Sequence, residues 1–297
     1  MINKSDNLRL GIYLMLMTTF VFAIQDGISR HLATSYGVFT VVMIRYWFLG
    51  LFVLALNIRF EKNLIHRVHT KQPLLQILRG LLLAAEVCVM VYAFTKLGLV
   101  ESHAIFSCYP LIVVALSGPM LKEKISLPSF MAIVLGFVGI LILLNPQSER
   151  VNLYALIPFC SAILFALYNI LTRRVAYTDS AEVSYFWTGI VGAFFMTCIG
   201  PFFWQPIKGS DWIWMLILCL SGALGHYLLI KALNFAEASK LQPYAYFQLV
   251  FASVFGILIF GEVLTITISI GAIIIIGAGI FTFLRSEKNQ RQRDISE

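Results

Sequence analysis

Apolar residues run through this chain in long windows, and charge, proline or asparagine interrupts them at regular intervals. A bilayer core needs about 20 apolar residues per helix. The windows predict ten such helices, at 8–29, 37–57, 74–95, 102–121, 127–144, 153–172, 182–203, 211–231, 240–260 and 266–284. The connections are short except for 58–73, which carries Arg59, Glu61, Lys62, His66, Arg67, His69 and Lys71. The pattern also repeats itself. Phe22–Ala33 lines up, 143 residues on, with Phe165–Ala176, and Ala93–Ser126 lines up 139 residues on with Ala232–Thr265.

Two copies of five spans each force the second copy to enter the membrane upside down. That is the inverted-repeat plan, with a pseudo-two-fold axis in the membrane plane and a shared site near the midplane. The expected units are residues 1–145, residues 151–285 and a polar tail at 286–297. Such a chain can open to either side by rocking its halves, which is alternating access.

Composition agrees with the pattern. Hydrophobic residues make up 59% and charged residues 12%, against roughly 45–50% and 25% in soluble domains. The net charge of +7 suggests nucleic acid until the charges are placed. With the N-terminus in the cytoplasm, 16 of the 22 Lys and Arg fall on that side and four on the other, with Arg45 and Arg79 inside spans. This asymmetry predicts cytoplasmic termini and removes nucleic acid as a partner. The first apolar run lacks an A-x-A-like cleavage site, so it reads as a retained helix. The five cysteines lie in apolar stretches without metal-ligand spacing, so neither disulfides nor a metal is expected.

The doubled segments ending Leu121-Lys-Glu123-Lys-Ile-Ser126 and Phe260-Gly-Glu262-Val-Leu-Thr265 resemble the EamA repeat of the drug/metabolite transporter superfamily. The resemblance covers about residues 10–285. It implies an all-α ten-helix membrane fold, a bacterial inner-membrane location and secondary transport of a small organic solute. The first helix, with Gln25-Asp26, Arg30-His31-Leu32 and then Arg45, is similar to the branch holding riboflavin and S-adenosylmethionine importers. The first copy departs from the family's usual Gly-Glu by having Lys122-Glu123.

Glu86 is the leading candidate for the chemistry. It sits in the middle of the third span, where an ionisable group costs about 2.5–3.5 kcal/mol unless protonated or paired. It reads as a proton-coupling or substrate-contacting group, or else as a packed neutral acid. His226 falls one residue from the repeat-equivalent of Glu86, so the pair can meet on the pseudo-axis and exchange a proton; a satisfied core histidine is the alternative. Arg45 and Asp26 are expected either as an ion pair or, through the guanidinium, as a seat for an anionic group. Arg79 is expected to snorkel toward the cytoplasm. The resemblance implies that the first, third, fourth, sixth, eighth and ninth spans line the cavity, which brings in Gln25, Tyr92, His103, Tyr109, Tyr168, Asn169, Tyr227, Gln242, Tyr244, Tyr246 and Gln248. Interfacial anchoring explains many membrane aromatics, but not the mid-span Trp47 and Trp187. Aromatic faces with a few amides suit a planar, hydrogen-bonding solute.

Proline and glycine add hinges or packing points. Pro110, Pro119 and Pro158, with Gly118 and Gly222, can bend helices, whereas Pro243 reads as an N-terminal proline of the ninth span. Gly136, Gly139, Gly271, Gly277 and Gly279 fit close helix packing, either internal or at a homodimer face. The reading is therefore a secondary transporter without cofactor, with riboflavin-like uptake ahead of S-adenosylmethionine-type import and of efflux of amino acids or toxic metabolites. An intramembrane enzyme lacks the motifs it needs: Ser221 and His226 lie five residues apart on one helix and cannot form a Ser–His pair. A passive channel predicts a ring of like polar residues instead. No nucleotide-binding motif is present for ATP-driven transport.

Overall fold

The computed structural model describes residues 7–60, 68–123 and 153–263, with scattered positions in 131–138 and 265–277; side chains are described up to residue 56 in the first of these stretches. Much of the predicted fifth and tenth spans, residues 61–67 of the long connection, the tail and the Gly136, Gly139 and Gly279 positions lie outside the described residues. The rest is helical. The helices are α1 (Leu8–Tyr36), α2 (Val38–Phe60), α3 (Pro73–Phe106), α4 (Tyr109–Leu121), α5 (Leu156–Val175), α6 (Ala181–Ile199), α7 (Asp211–Phe235), α8 (Ala238–Ala245) and α9 (Phe247–Phe260). Among the described residues, seven helical stretches are long and apolar enough to cross a membrane, and Tyr109–Leu121 is a shorter apolar helix. The protein is a multi-pass membrane protein.

The helices start and stop where local chemistry dictates. Asn7 caps α1 by accepting from the Leu10 amide (3.2 Å), and Ser180 caps α6 by accepting from Val183 (3.3 Å), each satisfying an otherwise orphaned N–H. Pro73 opens α3, where its missing N–H costs nothing.

The fourth and ninth spans each hold a break. Gly98 (φ 81°, ψ −178°) is non-helical and parts the third span from the fourth within the bounds of α3, and a tight turn at Ser107 and Cys108 then divides the fourth ahead of α4. The ninth span is broken as well, at Tyr246 between α8 and α9. Cys108 and Leu249 make shortened i→i−3 bonds there, to Ile105 and Tyr246 (3.2 and 3.1 Å), which is the tightening expected at a kink. Pro110 follows the first turn. Pro243 lies inside α8 rather than at its start, so the Ser239 carbonyl loses its i+4 donor. The two breaks fall at equivalent places in the two repeats, 139 residues apart.

Packing shows the inversion directly. Tyr36 at the end of α1 donates to Asp211 at the start of α7 (2.6 Å), while Gly11 near the start of α1 sits against Ala236 just past the end of α7. The two helices are therefore antiparallel. The pairs α3·α5 and α2·α6 are antiparallel too: Glu86 meets Ser161 and Arg79 meets Thr172, and Thr40 meets Phe203 while Trp47 meets Thr197. Small residues let the backbones close in. A Cβ at Gly225 would lie 2.6 Å from the Phe22 ring, and one at Gly50 would lie 2.9 Å from Ala193, the close approach that membrane helices rely on in place of a hydrophobic drive.

Candidate functional site

Midway along the bundle, α1, α2, α3, α5, α7 and α9 enclose a cavity of ≈ 30 Å³, room for about two waters. Its wall is aromatic on several sides (Phe22, Phe94, Phe106 and Phe165) and carries five ionisable side chains, Asp26, Arg45, Glu86, His103 and His226. All five are buried. Hydrocarbon offers such groups no partner, so the bundle must supply one for each.

The partners form two clusters. In the first, an Arg45 terminal nitrogen lies 2.8 Å from His226 Nε2. That contact makes the imidazole nitrogen the acceptor, since a guanidinium only donates. Phe22 packs against the His226 ring at 5.0 Å. Gly222 makes room for this arrangement, because a Cβ there would sit 2.7 Å from Arg45 Nε. In the second cluster, Asp26 accepts from Gln248 (3.1 Å) and from Gln25 (3.4 Å). The His103 ring nitrogen stands 3.2 Å from Asp26 Oδ2, within ion-pair reach but off hydrogen-bond alignment. Glu86 accepts from the Ser161 hydroxyl of α5 at 2.8 Å. The Gln25 carbonyl oxygen and His226 Nδ1 are buried without a protein partner. Two carboxylates therefore share the cavity with one guanidinium, two imidazoles and free amide valence.

Several sequence expectations change here. Arg45 does not pair with Asp26; it turns to α7 and His226, where Gly222 leaves space. Glu86 and His226 share the cavity wall, but Glu86 bonds Ser161 and His226 bonds Arg45. Trp47 points outward, 38% exposed, donating to Thr197 at 2.8 Å. Tyr92 is likewise 41% exposed, with Lys96 over its ring. Trp187 donates to the Val68 carbonyl at 3.0 Å, away from the cavity.

Arg79 does not snorkel. It is fully buried and donates to Gln76 (3.1 Å), Tyr168 (3.4 Å), Thr172 (3.3 Å), Thr188 (2.7 Å) and the Ser184 carbonyl. Gln76 passes the network on to Asp179 at 2.8 Å. Enclosed by α5 and α6, this guanidinium has no water to reach, so neutral oxygens take all five of its N–H groups. Tyr168 thus belongs to the Arg79 network. Tyr109 lies just behind the cavity wall, its ring 4.8 Å from Phe106 and from Phe165. Asn169 donates to the Phe165 carbonyl (2.8 Å). Gln242 and Tyr246 are buried around the α8–α9 break with side-chain polar atoms unpaired. Gln248 and His103, both expected on cavity-lining spans, line the cavity beside Asp26.

An inverted-repeat helical bundle with a polar, charge-bearing midplane cavity is the architecture of a membrane transporter rather than an enzyme. More narrowly, the chain belongs to the EamA-like transporter family, whose model matches it twice, over residues 9–145 and 152–284. It is 26% identical over 287 residues to an S-adenosylmethionine uptake transporter of Rickettsia prowazekii (strain Madrid E), covering 97% of each chain. It is 25% identical over 294 residues to a riboflavin transporter of Vibrio cholerae serotype O1, covering 96% of this chain and 97% of the relative. A crystal structure superposes with a TM-score of 0.71 at 14% identity, over 96% of this chain and 99% of the other; it supports the fold alone.

Proposed function

We propose that this protein takes up a small zwitterion of net positive charge that carries an aromatic ring, of the S-adenosylmethionine type, across a bacterial inner membrane by alternating access. The observation that carries the reading is the make-up of the cavity lining: two acidic side chains, Asp26 and Glu86, beside one guanidinium, Arg45. A sulfonium or ammonium fits beside Asp26. A solute carboxylate fits the forked donors of Arg45. A planar base fits among Phe22, Phe94, Phe106 and Phe165. The names of the Rickettsia relatives point the same way. The 30 Å³ cavity is far smaller than the roughly 300 Å³ or more of a ligand pocket, so in this reading the conformation is closed and the walls part to admit solute. The Lys and Arg distribution supports cytoplasmic termini.

Riboflavin is the second reading, favoured by the same aromatic wall and by the Vibrio relative's name. A neutral flavin brings no charge to meet either the acidic side chains or the guanidinium, which sets it behind. Proteoliposome counterflow separates the two. With unlabelled solute inside, labelled S-adenosylmethionine should accumulate and excess riboflavin should fail to compete. Flavin counterflow without S-adenosylmethionine counterflow overturns the preferred solute, and counterflow of amino acids alone overturns both.

A further inference from the structure

Two carboxylates far from the cavity do the same job in the two repeats. Glu123, just past the end of α4, accepts from the backbone N–H groups of Ala238 (3.3 Å) and Ser239 (3.2 Å) and from the Ser239 hydroxyl (2.6 Å). Glu262, just past the end of α9, accepts from the N–H groups of Leu99 (2.8 Å) and Val100 (2.7 Å) and pairs with Arg30. The donors, like the acceptors, are 139 residues apart. Each repeat's carboxylate thus caps the broken span of the other repeat. The backbone that aims them is shared as well. Lys122 (φ 59°) and Gly261 (φ 64°) take the left-handed turn immediately before each glutamate. Gly98 clears the way for Glu262, since a Cβ there would lie 2.6 Å from its Oε1. The caps occupy opposite ends of the bundle, separated by the length of residues 99–121, on the order of 30 Å.

We infer that Glu123 and Glu262 are paired latches of the transport cycle, each holding its own end of the cavity shut and releasing in turn. The inference rests on the alternating-access reading but not on the identity of the solute. Three observations carry it. The bonds cross between the repeats, so rocking the repeats apart at one end must break that end's cap and can spare the other. Both caps are formed together in a conformation whose cavity holds only ≈ 30 Å³. The reciprocity lets the two ends exchange roles by one motion, as inverted repeats require. The latches are also unequal: Glu262 holds shorter backbone bonds and a guanidinium, whereas Glu123 holds longer ones and a neutral hydroxyl. Charge-assisted bonds are the stronger kind, so the Glu123 end opens more readily, and in the proposed orientation that end faces the cytoplasm.

The test needs no solute. Met90 lines the cavity, and Met90→Cys in a cysteine-free background reports access to an impermeant maleimide added from either side of sealed vesicles. Glu262→Gln should raise labelling about tenfold from the Glu262 end only, and Glu123→Gln should do so from the opposite end only. Oxidised cysteine pairs at 123 and 239, or at 262 and 100, should abolish labelling from their own end, and reduction should restore it. Labelling raised equally from both ends, or unchanged in both glutamine variants, overturns the latches; so do crosslinks that leave access intact. Failure here leaves the solute reading standing, and failure of S-adenosylmethionine counterflow leaves the latches standing.

Discussion

The ends of this bundle obey the repeat symmetry and its centre breaks it. At the ends, Lys122 matches Gly261 and Glu123 matches Glu262. In the cavity, the aromatic Phe22 matches Phe165, and their rings meet at 6.5 Å. The charges do not match. Asp26 corresponds to Asn169, Glu86 to Gly225 and His103 to Gln242, each a neutral residue in the second copy. The second copy contributes His226, whose own counterpart is Val87. A symmetric frame lets the protein reach two conformations, related by the pseudo-two-fold axis, of comparable energy. An asymmetric lining lets it hold a solute with distinct ends in one orientation throughout.

Exchanging Asp26 and Asn169 tests that division most severely. Asp26→Asn removes a carboxylate that a cationic solute would meet, and apparent affinity should fall about 100-fold, the size of a lost charged bond. Asn169→Asp alone should not rescue it, because Asn169 is already tied to the Phe165 carbonyl and lies outside the cavity lining. Equal transport by the exchanged double variant and the parent, measured as initial uptake over a concentration series, would mean that the symmetry extends to recognition.

Glu86 has no charged counterpart, so Glu86→Gln asks whether the odd carboxylate couples transport to protons. The amide keeps the shape and still accepts from Ser161. Transport should drop about tenfold and lose its response to an imposed pH gradient, the behaviour expected of a buried proton carrier. Unaltered uptake and an unaltered pH response in Glu86→Gln proteoliposomes remove this residue from coupling.

A comparable effect is expected at Gly222, which corresponds to Leu83 in the first copy. A methyl group there collides with Arg45 and Gln25. Gly222→Ala should push the guanidinium off His226 and reduce affinity about tenfold, near the cost of one displaced charged contact, without unfolding the bundle. A parallel fall in detergent-solubilised yield would instead assign Gly222 to helix packing.

The symmetric frame was the legible part of the sequence. The repeats, the apolar windows and the E-containing segments are local patterns, and eight predicted spans lie on described helices. Mid-membrane charge was legible too, because burying it in lipid is costly wherever it points. Direction was not. Helices that are apolar all round present no polar stripe, so nothing in the sequence turned Trp47 and Tyr92 outward or Arg79 inward. Partner choice depended on small residues across the interface. Arg45 faces His226 rather than Asp26 because Gly222 leaves space for it, and spacing along one helix cannot reveal a gap in another. The breaks near 107 and 246 share no proline signal, because Pro110 follows its turn whereas Pro243 precedes its own.

The mildest test sits where the frame itself departs from symmetry. Lys122 adopts the left-handed backbone that its counterpart Gly261 takes freely, and a side chain in that region costs about 1 kcal/mol. The turn persists because it folds the Lys122 and Glu123 amides back onto Gly118 and Ser117 (3.0 and 3.2 Å), the helix-ending arrangement glycine favours. Lys122→Gly should therefore raise the thermal midpoint by about 2 °C, and Gly261→Lys should lower it by a similar amount. Since the turn aims Glu123 at α8, the glycine variant should also hold that end shut more firmly, seen as slower Met90→Cys labelling from that side. A lowered midpoint in Lys122→Gly would mean that the lysine side chain gives back more than the turn costs, and that the two turns are alike in shape but held by different forces.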